Sequence, residues 1–279
     1  MHFLGRLRLA FWRAFQHGQF SVAKAAAYSS ILTLFPAFLV VTSILEASHA
    51  TAGLLHQISD TVGWALPPGA NDVALSFLQT TQHHTTRILV SASFVTLMAA
   101  TGLMISWMEG FRKAYGLEQT WGFWKERFVA ISLVFLGLIP LSFATLLVVF
   151  GDLIETWLQD QAIHQVRPVI LFVWSLTRWA IAILTSIAFM QLIYHNGTPK
   201  TQSWRRVLPG AFAATVMWFP ATVFFGWYVT HYATYSVVYG SLSAAIALLV
   251  WLYIVSIIVL LGAEFNAQVY PKVSDSKKG

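Results

Sequence analysis

Long apolar runs alternate with short, polar, mostly basic segments along the 279 residues. A helix needs about 20 apolar residues to cross a hydrocarbon core roughly 30 Å thick. Six runs meet that requirement: Ala26–Leu45, Ile88–Met108, Phe128–Phe150, Val169–Tyr194, Val207–Val229 and Tyr239–Gly262. None carries the polar stripe of a helix packed in water. The pattern predicts an all-α, polytopic membrane protein, a bundle of about six transmembrane helices. Ahead of the first run, Leu4, Leu7, Phe11 and Phe15 recur at helical spacing, with Arg6, Arg13 and His17 on the opposite side. That is the signature of an amphipathic interfacial helix. The expected organisation is an arm over residues 1–24, a transmembrane domain over 25–268 and a polar tail over 269–279.

Charge orients the bundle. The arm, the second and fourth connections and the tail hold 14 Lys and Arg residues, among them Lys24, Arg112, Lys113, Arg127, Arg205 and Arg206. The intervening connections hold only Arg87 and Arg167, and Arg178 falls inside a span. Basic residues accumulate on the cytoplasmic side, so both termini are expected there and the number of crossings is even.

Composition supports this reading. Hydrophobic residues make up 57% of the chain and charged ones 10%, against about 25% charged in soluble domains, and the mean hydropathy is +0.65. The net charge of +6 is spread over inter-helix segments, as membrane orientation requires, and does not indicate a nucleic-acid partner. With no cysteine, disulfides and thiolate chemistry are excluded. The apolar run starting near Ala25 is too long for a signal peptide and is read as a retained span. The connection Ser48–Arg87 is long enough to hold one or two short helices. The connection Thr230–Val238 is short and, with Tyr228, Tyr232, Tyr235 and Tyr239 in and around it, suits an aromatic belt.

Charged groups on spans are costly in lipid and point to function. Arg178 lies ten residues after Pro168, roughly 15 Å into a continuous helix. Two readings stay open: it snorkels at the outer boundary, or it faces a polar cavity and binds an anionic group. Glu264, ending the last span, is expected to pair with Lys24; Glu109 and Arg112, three apart, are expected to pair locally. Pro36, Pro140 and Pro220 interrupt spans one, three and five, and kinks of this kind can line a substrate path. Gly240, Ser241, Ser243, Ala244 and Ala247 give span six a face for close packing. The sequence has no HExxH motif, Walker A loop, dinucleotide fingerprint or nucleophile elbow, so neither metal, cofactor nor enzyme activity is expected.

Three strings have a further significance: Ala25-Ala-Ala-Tyr-Ser-Ser-Ile-Leu-Thr-Leu-Phe-Pro36, Leu208-Pro-Gly-Ala211, and Tyr239-Gly-Ser-Leu-Ser-Ala-Ala-Ile-Ala-Leu-Leu-Val-Trp-Leu-Tyr253 followed by Leu261-Gly-Ala-Glu-Phe-Asn266. In this order, from about Ala10 to Gln268, they resemble the YihY/BrkB family of bacterial inner-membrane proteins. The resemblance implies a multi-pass protein of the inner membrane. Family members have carried an old label as tRNA-processing ribonucleases, and some are linked to export of envelope lipid or lipopolysaccharide and to serum resistance. Three functions follow as expectations: first, a transporter or flippase-like protein for a lipid or amphipathic anion, with membrane lipids and envelope lipid or lipopolysaccharide precursors as partners; second, an envelope scaffold; last, a ribonuclease. Substrate, coupling and oligomeric state are not legible in the sequence.

Overall fold

The computed structural model describes residues 3–47, 86–118, 121–161, 167–200, 202–231 and 242–269. Among them the chain is helical without strands: α1 (Phe3–Gln16), α2 (Gln19–Ala47), α3 (Thr86–Ala114), α4 (Phe123–Gln161), α5 (Arg167–Asn196), α6 (Trp204–His231) and α7 (Leu242–Val269). Five of them hold stretches long and apolar enough to span a membrane: Gln19–Val40, Leu89–Ala114, Val169–Asn196, Trp204–Val229 and Ala245–Val269. The third expected span, 128–150, lies within α4. The connection 48–85, the tyrosine-rich segment 232–241 and the tail from 270 lie outside the described residues.

Helix ends follow local chemistry. Gly18 adopts φ +65° and Gly116 φ +56°, a left-handed conformation that glycine enters without steric cost. At Gly116 the Leu117 N–H donates to the Arg112 carbonyl at 2.9 Å, closing α3 with a Schellman bond. At Gly18 the chain turns between α1 and α2, so the amphipathic arm is a separate helix and not an extension of the first span.

The packed helices form a closed ring, α2, α3, α4, α5, α6, α7 and back to α2, with α7 also touching α3, and α1 lying over α7. Burial is concentrated at one end of this ring. In α5 the buried side chains among 169–196 are Ile193 and Tyr194, at its C-terminal end. Buried residues of α2 begin at Gln19 and Val22, those of α3 cluster over 100–114, and those of α6 cluster over 207–215. All these segments meet at the end bearing Arg112, Lys113, Arg205 and Arg206, called here the basic end. Farther from this end, Leu138, Ile139 and Phe143 of α4 and Phe172, Val173 and Leu176 of α5 are exposed, apolar surface of the kind that faces lipid.

The face of α1 turned to the protein is narrower than its periodicity suggests. Ala10 is buried against Ala213 of α6 and Phe265 of α7, with Leu7 beside them, while Phe11, Trp12 and Phe15 face outward, each more than half exposed. The small residues allow close approach, and the aromatic ones remain available to a membrane interface.

The closest helix contact is between α6 and α7. A Cβ on Gly210 would collide with the Gly262 carbonyl and the Asn266 amide, and one on Gly262 would meet the Tyr194 hydroxyl and the Gly210 carbonyl. Gly210→Ala is therefore expected to destabilise the bundle by at least about 1–3 kcal/mol through overpacking. Gly5→Ala, where the added methyl meets open space, should be neutral or stabilise by about 0.5–1 kcal/mol. Thermal unfolding of the two variants in detergent checks the contrast.

Candidate functional site at the basic end of the bundle

Glu264 has no exposed surface, although it belongs to a helix otherwise made for lipid. Its Oε1 lies 2.7 Å from His17 Nδ1 and accepts from Gln19 Nε2 at 2.9 Å. The same Gln19 amide donates to the Gly110 carbonyl of α3 at 2.9 Å. One carboxylate thus ties together the α1–α2 turn, α2 and α7, and through Gln19 also α3. With Glu264 ionised the imidazole carries its hydrogen on Nδ1, an assignment made from the bonding pattern. Glycine at 110 leaves room for this bond, since a Cβ there would press on the ends of the Leu260 and Gln19 side chains.

One helical step further, Asn266 pins α7 to α6. Its Oδ1 accepts from the Gly210 N–H at 2.6 Å and its Nδ2 donates to the Val207 carbonyl at 3.1 Å. Tyr194 of α5, fully buried, donates to the Val259 carbonyl at 2.6 Å and packs edge-on to Phe111 of α3 at 5.1 Å. Tyr115, in the turn after α3, stands beside Asn266 without a well-aligned hydrogen bond. Burial pushes its phenol above the ordinary value and the Glu264 charge adds to that, while the Asn266 amide opposes it. Gln19 Oε1 and Glu264 Oε2 are buried acceptors with no partner.

The ion pairs differ from those expected. Glu264 faces His17 and not Lys24, because α2 turns Gln19, Val22, Ala23, Ala26 and Ala27 inward and so carries Lys24 to its exposed side. Glu109 pairs with Lys113 at 2.7 Å, both well exposed, so this pair contributes little. Arg112, one residue back around the helix, reaches across to Glu126 of α4 at 2.8 Å.

Arg178 is half-buried on α5, 16 residues before Tyr194 and so about 24 Å along the helix from the polar cluster. Pro220 of α6 is close to its level, since Trp179 packs against Phe219 at 6.0 Å. Pro36 and Pro140 are half-buried on α2 and α4, and Pro220 is exposed. Arg178 and the prolines take no part in the hydrogen-bonded cluster at the basic end. Among the described residues no three His, Asp or Glu side chains gather as a metal site.

A family model described as virulence factor BrkB matches residues 10–278. The chain belongs to the BrkB family. It is 29% identical over 271 residues, 95% of each chain, to a putative ribonuclease-like protein of Bacillus subtilis. It is 28% identical to a UPF0761 membrane protein of Aliivibrio salmonicida, covering 86% of this chain and 75% of that one. It is also 25% identical to a UPF0761 membrane protein of Nitrosospira multiformis, spanning 58% of that longer protein. No solved structure matches. In this BrkB-family chain, two of the strings that carried the resemblance meet in space: Leu208–Ala211 and Leu261–Asn266 close on each other through Gly210, Gly262 and Asn266.

Asn266→Ala leaves the Gly210 N–H buried without its acceptor and is expected to cost about 1–3 kcal/mol. Tyr194→Phe removes only a donor to a helical carbonyl and should cost about 0.5–1.5 kcal/mol. Chemical or thermal unfolding of the purified variants should rank them in that order.

Proposed function

We propose that this protein moves a lipid or amphipathic anion within the bacterial inner membrane, its basic end facing the cytoplasm and serving as the closed gate. The observation that carries the reading is where the charged and polar groups lie: the hydrogen bonds of Glu264, Asn266 and Tyr194 join helices at the basic end, whereas Arg178 is a cation on a span about 24 Å along α5 from them. A cation held at depth on a span is expensive unless it meets an anionic group or reaches the interface. Pro36, Pro140 and Pro220 sit inside α2, α4 and α6, where each removes a helical hydrogen bond and permits bending.

A second reading is a scaffold that recruits other envelope proteins. It is favoured by α5, whose Val169, Phe172, Val173, Leu176 and Leu184 form an exposed apolar stripe at helical spacing. The ribonuclease name belongs to the Bacillus relative, and the basic-end cluster of amides, tyrosines and one His–Glu pair does not suggest a phosphodiester-cleaving arrangement.

The test is movement of a fluorescent anionic phospholipid between leaflets of vesicles containing the purified protein. Arg178→Ala should slow it about tenfold or more, the loss of a charge-assisted contact, and Arg178→Lys should restore part of the rate. An unchanged rate in a folded Arg178→Ala protein removes the anion contact, and no movement with the wild-type chain leaves the scaffold reading.

A further inference from the structure

The buried Glu264 cluster holds more acceptors than donors. His17 Nδ1 and Gln19 Nε2 both address Oε1 of the carboxylate, leaving Oε2 buried and unpartnered. Gln19 Oε1, on the other arm of the amide that binds Glu264, is equally buried and unpartnered. A buried acceptor without a donor costs about 1–3 kcal/mol, so two in one hydrogen-bonded pair call for a missing donor. A single proton supplies it: a neutral Glu264 has an O–H to give, and Gln19 Oε1 is the empty acceptor on the neighbouring group. An acid and an amide can then exchange two hydrogen bonds, N–H to C=O and O–H to C=O, with neither side left short.

We propose that Glu264 is a proton-binding site, with His17 its port to the aqueous phase at the basic end and Gln19 the group that holds the bound proton. His17 is partly exposed, with 36% of its side chain accessible, against none for Glu264, so the imidazole spans the boundary between solvent and the buried carboxyl. Transfer breaks the Nδ1–H bond of an imidazolium and forms an O–H bond on Oε1, the oxygen that His17 faces; a half-turn of the neutral carboxyl about Cγ–Cδ then aims this O–H at Gln19 Oε1. The pair is left neutral with the imidazole hydrogen on Nε2, and a half-turn of the ring brings Nδ1 to water for the next proton.

The surroundings suit a neutral site that loads and unloads. The α1–α2 turn brings His17, with Arg13 one turn earlier and half exposed; α2 brings Gln19 and keeps Lys24 in solvent. The end of α3 brings Tyr115, while its Arg112 and Lys113 are engaged by Glu126 and Glu109. From α5 comes Tyr194, which meets α7 at Gly262; from α6 come the Gly210 and Val207 backbone groups held by Asn266, with Arg205 and Arg206 exposed at its start. Among the described residues His17 is the one ion-pair partner of the carboxylate. The site stands on this geometry alone; its use as the ion that couples or gates transport rests on the reading proposed above.

Infrared difference spectroscopy on the full chain in lipid, over about pH 5–8 where histidine exchanges protons, tests the site directly. The wild-type protein should show the carbonyl stretch of a protonated, hydrogen-bonded carboxyl growing as pH falls. Glu264→Gln should abolish the band. Gln19→Leu should keep it but shift it to the frequency of a less hydrogen-bonded acid. His17→Gln should keep it while slowing its exchange in heavy water roughly a hundredfold, the loss expected for a general acid–base group at the low end of its range. A band that survives in Glu264→Gln, or no titrating band in the wild type, overturns the proposal; unaltered exchange in His17→Gln overturns the port. If Glu264→Gln fails to fold, the frequency shift in Gln19→Leu decides, since an unshifted band cannot come from Glu264. A titrating band in a protein that moves no lipid would overturn the transport reading and leave the proton site standing.

Discussion

The basic end of the bundle depends on the backbone contact between α6 and α7. Helix axes usually lie 8–10 Å apart, separated by side chains, and lipid offers no hydrophobic drive to bring them closer. Glycine at 210 and 262 removes the side chains at the crossing, and Asn266 converts the resulting proximity into two hydrogen bonds to α6. The place of Tyr194 follows from this contact, because its hydroxyl lies over the Gly262 position that a side chain would fill. Glu264, one residue from the packed face on each side, is held at the depth that lets the α1–α2 turn reach it.

The same constraint explains the unequal distribution of packing. Small residues dominate the buried set near the crossing: Ala211, Ala213, Ala214, Ala263 and Ala267. Toward the other end α5 presents bulky Phe172, Trp179 and Leu184, substantially exposed. Close approach and polar bonding reinforce each other, since amide and carboxyl groups bond across helices only where backbones are near. Where side chains are large the helices stay apart, and dispersion with lipid replaces dispersion with protein.

Much of this architecture was legible in the sequence because the bilayer imposes a simple length rule. The described helices contain the first five expected runs and the sixth from Leu242 onward, and Pro36, Pro140 and Pro220 all lie inside helices as anticipated. The polar cluster was less legible. Glu264 was singled out, but its partner was sought by charge, at Lys24, whereas the fold supplies an uncharged amide and a histidine from the turn before α2. That turn depends on Gly18 at positive φ, and nothing in the apolar periodicity reports a reversal between two helical segments. His17 was assigned to the polar side of the arm for the same reason. Asn266 stood in view two residues after Glu264, and a pair of polar groups at the end of an apolar span was the available signal. The Gly210–Gly262 contact leaves no trace in hydropathy at all, because a glycine at a helix crossing and one on a lipid-facing surface read alike.

The bond between His17 and Glu264 joins positions 247 residues apart, and this has a consequence for how the protein is made. His17 and Gln19 leave the ribosome early, while Glu264 belongs to α7, some 245 residues later. Throughout synthesis the two N-terminal groups have no carboxylate to hold, and α1 has no α7 to lie on. The arm can therefore seat only once α7 is in place, and a protein truncated or stalled before α7 retains a loose, basic, aromatic helix at its surface.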